Sequence, residues 1–263
     1  MNPYIPVSAK ILDIVKHTDK EWTFRVNCNT KGVLPGKFYE ISIPKYGESP
    51  ISVSGYGEDY IDFTIRNVGK VTSELFNYKE GDSFFIRGPY GNGFDVSLYE
   101  GREIVVVAGG SALAPVRGIV EYFYNNKEKC EKFKLIVGFK SPKDILFADD
   151  LKRWSKKLDI LVTVDGAEEG YSGNVGLVTK YIPELDMKDI NNTSIVVVGP
   201  PMMMKFTVED FLKRDLDEKN IWVSYERKMC CGIGKCGHCK MDDTYICLDG
   251  PVFDYSYAKN LID

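Results

Sequence analysis

Histidine is almost missing from this chain, with two in 263 residues. A serine–histidine–aspartate relay needs a histidine held by a carboxylate. Neither that arrangement nor a carboxylate pair set for acid–base work can be read here. A Rieske-type centre takes two histidines, yet only His238 lies among other ligand-type residues. Apolar runs of transmembrane length are absent. The opening Met1-Asn2-Pro3-Tyr4-Ile5-Pro6 has no charged or apolar leader segment, so no signal peptide is expected. Basic excess is lacking too: the net charge is −4, and no basic stripe marks a nucleic-acid or membrane partner. Repeats and low-complexity tracts are likewise missing. Over most of the chain cysteine is sparse, and Cys28 and Cys130 read as ordinary reduced thiols. Together these features point to a reducing cytoplasm.

What the chain has is a concentration of thiols. Five of its seven cysteines fall within eighteen residues, in Cys230-Cys231-Gly232-Ile233-Gly234-Lys235-Cys236-Gly237-His238-Cys239 and then Cys247. Counted from Cys231 the spacing is C-x4-C-x2-C-x7-C, the plant-type pattern that holds a [2Fe–2S] cluster by four thiolates. Glycines between the thiols allow a tight loop whose N–H groups face sulfur. Cys231, Cys236, Cys239 and Cys247 are therefore the candidate ligands. Two other readings stand beside this one. Four thiolates also suit tetrahedral zinc, although zinc sites usually show two C-x-x-C knuckles and only Cys236–Cys239 qualifies. Disulfides would need an oxidising compartment. Cys230 is the odd thiol, and the C-x4-C gap favours Cys231. His238 reads as a donor behind the ligands or as a plain loop residue.

The length allows two modest domains and a small appendage. Residues 1–98 read as short strands rich in β-branched and aromatic residues: Val7 to Val15, Trp22 to Asn27, Phe38 to Ile43, Ile51 to Ser54, Tyr60 to Arg66 and Ser83 to Arg87. One helix is predicted from Ser73 to Tyr78. Strands so spaced suggest a small antiparallel barrel. Residues 99–225 alternate strand and helix. Strands are predicted at Ile104 to Ala108, Phe133 to Phe139, Ile160 to Val164, Ser194 to Val198 and Ile221 to Ser224. Helices are predicted at Pro115 to Asn125, Phe147 to Lys156, Val175 to Tyr181 and Pro201 to Arg214. That rhythm implies a doubly wound parallel sheet. Residues 226–263 form the thiol segment. The fold class is thus a β-barrel, then an α/β sheet, then an iron–sulfur appendage.

Parallel sheets bind ligands beyond the carboxyl ends of their strands, where strand order reverses. Two turns lie at such ends. Ala108-Gly109-Gly110-Ser111 follows one apolar strand and Val198-Gly199-Pro200-Pro201-Met202 another. Adjacent glycines allow close backbone approach, and each following helix offers its N-terminus to a pyrophosphate. Gly109, Gly110, Ser111, Gly199, Pro200, Pro201 and Met202 are the candidate nucleotide contacts.

The barrel, the Ala-Gly-Gly-Ser-x-x-Ala-Pro turn and the Gly-Pro-Pro-Met turn resemble the ferredoxin–NAD(P) reductase superfamily. The C-terminal thiols narrow this to the electron-transfer subunits of dihydroorotate dehydrogenase. Gly88-Pro89-Tyr90-Gly91-Asn92-Gly93-Phe94 and Asp249-Gly250-Pro251-Val252-Phe253 have counterparts there. Within that group the chain is most similar to the electron-transfer subunits of anaerobic sulfite reductases. The telling stretches are Pro50-Ile51-Ser52-Val53-Ser54, Ile65-Arg66-Asn67-Val68-Gly69-Lys70-Val71-Thr72-Ser73 and Tyr225-Glu226-Arg227-Lys228-Met229.

The resemblance implies FAD bound between barrel and sheet. It places the flavin contacts at Pro50, Ile51, Ser52, Ser54, Ile65, Arg66, Asn67, Gly69, Lys70, Val71 and Thr72. Two departures from the family pattern stand out: Ser49 replaces an arginine and Val71 a glycine, so Lys70 or Arg66 is expected to supply the missing charge. Related NADPH enzymes carry arginines after the third strand, where this chain has Asp165-Gly166-Ala167-Glu168-Glu169. The acidic loop favours NADH. A nicotinamide gives two electrons and a [2Fe–2S] cluster takes one, and flavin converts between them. The implied path runs from NADH through FAD and the cluster to partner subunits, one iron–sulfur and one carrying siroheme, which reduce sulfite to sulfide. The same module could serve dihydroorotate dehydrogenase or a hydrogenase, or act as a non-catalytic redox sensor.

Overall fold

The computed structural model describes residues 4–167 and 169–261. The leader reading at residues 1–3 and the acidic residue Glu168 lie outside the described residues. The chain divides into two compact units. One gathers Met1–Phe94, Tyr225–Val252 and Leu261–Asp263, and the other Asp95–Ser224 and Phe253–Asn260.

The first unit is built on a closed antiparallel barrel. Its strands are β1 (Val7–Lys16), β2 (Glu21–Asn27), β3 (Phe38–Ile43), β4 (Gly47–Tyr56), β5 (Tyr60–Arg66) and β6 (Ser83–Tyr90), in the order β1-β2-β5-β4-β3-β6. Alternation sets the register. Phe24 and Val26 on β2 lie opposite Phe63 and Ile61 on β5, and all four are fully buried. A one-residue slip would turn them to solvent. Helix α1 (Lys70–Leu75) begins three residues before its predicted start at Ser73. The reason is Thr72, whose hydroxyl accepts from the N–H groups of Val68 and Gly69 and donates to the Gly69 carbonyl. That folds the chain into the first turn early. Asn77 and Tyr78 then leave the helix in a turn.

The second unit is a sheet of β7 (Glu103–Gly109), β8 (Lys132–Phe139), β9 (Asp159–Val164), β10 (Asn174–Val175), β11 (Thr193–Val198) and β12 (Ile221–Ser224). With it go helices α2 (Leu113–Asn125), α3 (Ala148–Trp154) and α4 (Pro201–Leu212). A short hairpin, β13 (Lys240–Met241) and β14 (Thr244–Tyr245), and helix α5 (Ile246–Asp249) belong to the thiol segment. β15 (Val252–Asp254) closes a seven-stranded order, β10-β9-β8-β7-β11-β12-β15, and helix α6 (Tyr255–Ala258) follows. β11 is buried along its whole length, as an inner strand covered on both faces should be. The order runs outward from β7 to β9, then restarts at β11 and runs the other way, so the reversal falls between β7 and β11.

The helix predicted over Val175 to Tyr181 does not form. β10 pairs with β9, and only a 3-10 turn at Val178–Tyr181 follows. The edge of β9 captures the chain: the Gly176 N–H donates to the Val164 carbonyl at 2.9 Å, and the Thr163 hydroxyl to the Gly176 carbonyl at 2.7 Å. α4 stops at Leu212, short of Arg214, whose guanidinium instead caps the carbonyls of Ile182 and Leu185. Among the described residues no helix is long and apolar enough to cross a membrane.

Candidate redox sites

The thiol loop gathers its cysteines in two pairs, with Cys231 beside Cys236 and Cys239 beside Cys247. Backbone donors face the sulfurs. The N–H groups of Ile233 and Lys235 reach Cys231 Sγ at 3.5 and 3.4 Å, that of Gly234 reaches Cys247 Sγ at 3.2 Å, and that of Cys247 reaches Cys239 Sγ at 3.5 Å. His238 takes part through its backbone N–H, which faces Cys236. Burial alone would raise the Cys231 thiol, but its N–H donors outweigh burial and hold it below the ordinary thiol range. The His238 N–H does the same for Cys236. Burial and the Cys239 contact push Cys247 up to about 12. Cys230 is exposed, and burial followed by the neighbouring Cys236 raises it.

Among the described residues no three Cys, His, Asp or Glu side chains converge on one metal-ion position. Two thiol pairs, each served by N–H donors, instead fit a two-iron centre in which each iron takes two thiolates. When bound, such a cluster supplies one-electron storage. The loop turns on Gly232 at φ +73°, where an added Cβ would lie 2.6 Å from the Tyr90 ring. Gly232→Ala therefore forces both a left-handed alanine and a clash. A loss of about 1–3 kcal/mol is expected, read as a lower iron content per chain on purification.

The barrel holds both ends of this loop. The Arg87 guanidinium donates to the carbonyls of Cys230 and Cys231, each at 2.6 Å. Past Cys247, the Asn92 side chain donates to the carbonyls of Asp249 and Val252 and accepts from the Val252 N–H. The two segments singled out around Asn92 and Pro251 thus meet in space.

The flavin candidates divide. Pro50, Ile51 and Ser52 are half-buried on β4 and pair with Glu40, Tyr39 and Phe38 of β3. The ladder to β5 begins only at Val53, which leaves the other backbone edge of Pro50–Ser52 outside that pairing. An unpaired main-chain edge beside half-buried side chains fits a flat polar ring that needs N–H and C=O partners. Lys70 and Val71 lie against the β3–β4 hairpin: the Lys70 ammonium is 5.8 Å from the Tyr46 ring, and Val71 would touch a Cβ at Gly47 at 3.7 Å. Arg66 is half-exposed and ion-paired with Glu21 at 3.2 Å. Asn67 accepts from Ser73 through its side chain, and its N–H donates to the Lys20 carbonyl. Ile65 is fully buried in the barrel core. Ser54 donates to the Asp62 carbonyl and accepts from Thr64, and Thr72 serves the Gly69 turn. The hydroxyls of Ser54 and Thr72 thus serve the barrel and the α1 turn.

The nucleotide candidates come together at the strand-order reversal. Ala108 and Val198 are register partners on β7 and β11, so the Gly109 and Gly199 turns emerge side by side. A Cβ on Gly199 would lie 3.4 Å from the Gly109 nitrogen, and one on Gly109 3.1 Å from Pro200 Cδ. Met203, not among the predicted contacts, packs over both glycines. Its signal in the sequence is only its place one turn into α4. Ser111, Pro200, Pro201 and Met202 are exposed around this spot. Neither α2 nor α4 has a side-chain cap or an acidic residue in its first turn. The N–H groups of Met202 and Met203 at the start of α4 suit an anionic pyrophosphate, whereas at α2 the Leu113 N–H already donates to the Gly110 carbonyl and Pro115 has none.

A flavin-type barrel, a dinucleotide sheet and a sulfur-rich loop define an NAD-linked oxidoreductase that handles single electrons. Residues 106–209 match the oxidoreductase NAD-binding domain, and residues 226–258 the iron-sulfur cluster binding domain of dihydroorotate dehydrogenase B. The chain is 36% identical to the sulfhydrogenase 2 subunit gamma of Pyrococcus furiosus, over 97% of this chain and 96% of that one. It is 33% identical to a probable dihydroorotate dehydrogenase B (NAD(+)) electron transfer subunit of Methanocaldococcus jannaschii, over 94% and 89%. A solved chain of the NADH-dependent reduced ferredoxin-NADP oxidoreductase superposes with a TM-score of 0.77 at 27% identity, covering 96% of this chain and 92% of that one. The chain belongs to the family of electron-transfer subunits that includes these relatives, within the ferredoxin–NAD(P) reductase-like superfamily. It is an NAD-binding, flavin-type electron-transfer subunit, and its cofactors are FAD, NADH and an iron–sulfur cluster.

Proposed function

We propose that this chain takes a hydride from NADH onto FAD and passes single electrons through a [2Fe–2S] cluster held by Cys231, Cys236, Cys239 and Cys247 to a partner that reduces sulfite to sulfide. In this reading residues 1–98 bind FAD, residues 99–225 bind NADH and residues 226–263 carry the cluster. The observation that carries it is the pairing of four thiols, each pair met by backbone N–H groups, in a chain with an NAD-binding sheet. The chain's own groups bind, orient and exclude water, and no side chain needs to move a proton. The partners are an iron–sulfur subunit and a siroheme subunit, and the site of action is the cytoplasm, where thiols stay reduced. The test is a visible spectrum of anaerobically purified protein before and after NADH. Flavin bands with a reddish-brown shoulder, bleached by NADH, are expected; colourless zinc protein would overturn the reading.

A second reading gives the same module a hydrogenase partner. It is favoured by the near end-to-end match with a sulfhydrogenase gamma subunit. Purifying the native complex and assaying NADH-driven sulfite reduction against hydrogen evolution separates the two.

Asp165 is exposed just after β9, and its N–H donates to the Phe139 carbonyl. A carboxylate there opposes a 2′-phosphate. NADPH is expected to be the poorer donor by about tenfold, a penalty of roughly 1.4 kcal/mol. Asp165→Asn should narrow the gap, as read in the ratio of kcat/KM values.

A further inference from the structure

Arg87 has five N–H donors, and all five have acceptors. Nε and Nη2 grip the Glu48 carboxylate, each at 2.9 Å. Nη1 donates to the Tyr90 hydroxyl at 3.2 Å and to the Cys231 carbonyl at 2.6 Å, and Nη2 also donates to the Cys230 carbonyl at 2.6 Å. The guanidinium is 6% exposed. No other side chain can fill this set, because lysine offers three donors from one point and no fork. Glu48 stands two residues before Pro50 on β4. Cys231 opens the cluster motif. One buried cation therefore joins the strand that carries the flavin segment to the first turn of the thiol loop.

We infer that Arg87 is the positioning residue for electron passage between the flavin and the cluster: it fixes the thiol loop on the flavin-bearing strand, and its charge favours the reduced cluster. The inference rests on the functional reading of β4 and Cys231 above. Electron tunnelling weakens steeply with distance, so a loop free to drift from β4 slows the transfer without any change in bonding. The transfer moves one electron from the NADH-reduced flavin to the cluster and no proton at Arg87. Arg87 makes four of its five charge-assisted bonds to groups outside its own strand.

The test compares Arg87→Gln and Arg87→Lys with the parent protein, each loaded with flavin and iron. In Arg87→Gln, hydrogen exchange at Ile233 and Gly234 should quicken about 100-fold, the equivalent of one or two such bonds. The cluster's midpoint potential, titrated with dithionite, should fall. Cluster reduction should lag flavin bleaching by about tenfold more than in the parent in the same stopped-flow trace. Arg87→Lys should bring the potential back towards the parent value but not the exchange rate, because the charge returns without the fork. Parent-like exchange, potential and lag in Arg87→Gln would overturn the inference. Should that variant fail to fold, Glu48→Gln cuts only the β4 side. It should keep the loop's exchange and still lengthen the lag, and a parent-like lag would count against Arg87. If NADH fails to bleach the parent flavin, the functional reading falls, while exchange and the dithionite titration still judge Arg87.

Discussion

Replacing Cys236 with alanine is expected to remove the iron–sulfur absorbance and stop NADH-driven reduction of a one-electron acceptor. Cys236 is exposed on the loop, yet it lies beside Cys231 and faces the His238 N–H. That donor favours the thiolate, the form that binds iron. Without it Cys231 is left as the sole ligand on its side of the loop, and a two-iron centre loses half the ligation of one metal. Iron content should drop to below about a tenth of the parent level, since metal affinity and ligand count are linked. Flavin content in the same sample separates cluster loss from general unfolding. Cys230→Ala is the control. Among the described residues no N–H donor reaches the Cys230 thiol, and the Arg87 bond is to its carbonyl, which alanine keeps. Parent-like iron in Cys236→Ala would overturn the four-thiolate reading, and iron loss in Cys230→Ala would bring Cys230 into the ligand set.

The thiol spacing was legible because a cluster loop is local: its ligands and their N–H donors lie within seventeen residues, Cys231 to Cys247. The clamp that anchors the loop was not, because 144 residues separate Arg87 from Cys231. An arginine at the end of a strand reads as solvated until the fold brings carbonyls to it. The two glycine turns were also legible, each as a strand end. That β7 and β11 would be neighbours, with Met203 over both turns, depends on where strand order reverses, which only the assembled sheet decides. The helix expected at Val175 to Tyr181 failed for the opposite reason. Its apolar spacing suits a helix, but the unpaired edge of β9 offered better partners for Gly176. For the flavin segment, the expected replacement charge at Arg66 is tied to Glu21, which leaves Lys70 as the cation beside the β3–β4 hairpin.

Glu40 was also invisible from sequence, since a glutamate in a strand ordinarily faces water, and it carries the second large prediction. On β3 it lies opposite Arg87 in register and is 0% exposed, and among the described residues neither carboxylate oxygen has a hydrogen-bond partner. Burial pushes its pKa up to about 7; the Arg87 charge opposes the rise, while Glu48 and Cys231 add to it. The unfolded chain titrates near the ordinary glutamate value of about 4.3. Between that value and about 7 the native state holds a proton that the unfolded state has lost. Stability therefore falls as pH rises through this window and stays at its deficit above it. Glu40→Gln keeps the shape and removes the charge. The variant should match the parent near pH 4.5 and exceed it at pH 8 by roughly 2–3 kcal/mol, the equivalent of about two pKa units. Urea unfolding of the barrel at the two pH values measures the difference. An equal offset at both would mean that the amide gains through packing and that the buried charge costs nothing. A loaded cluster adds negative charge beside Cys231, so the pH at which the gap between parent and variant levels off should be higher, and the gap itself larger, in the iron-bound protein than in the stripped one.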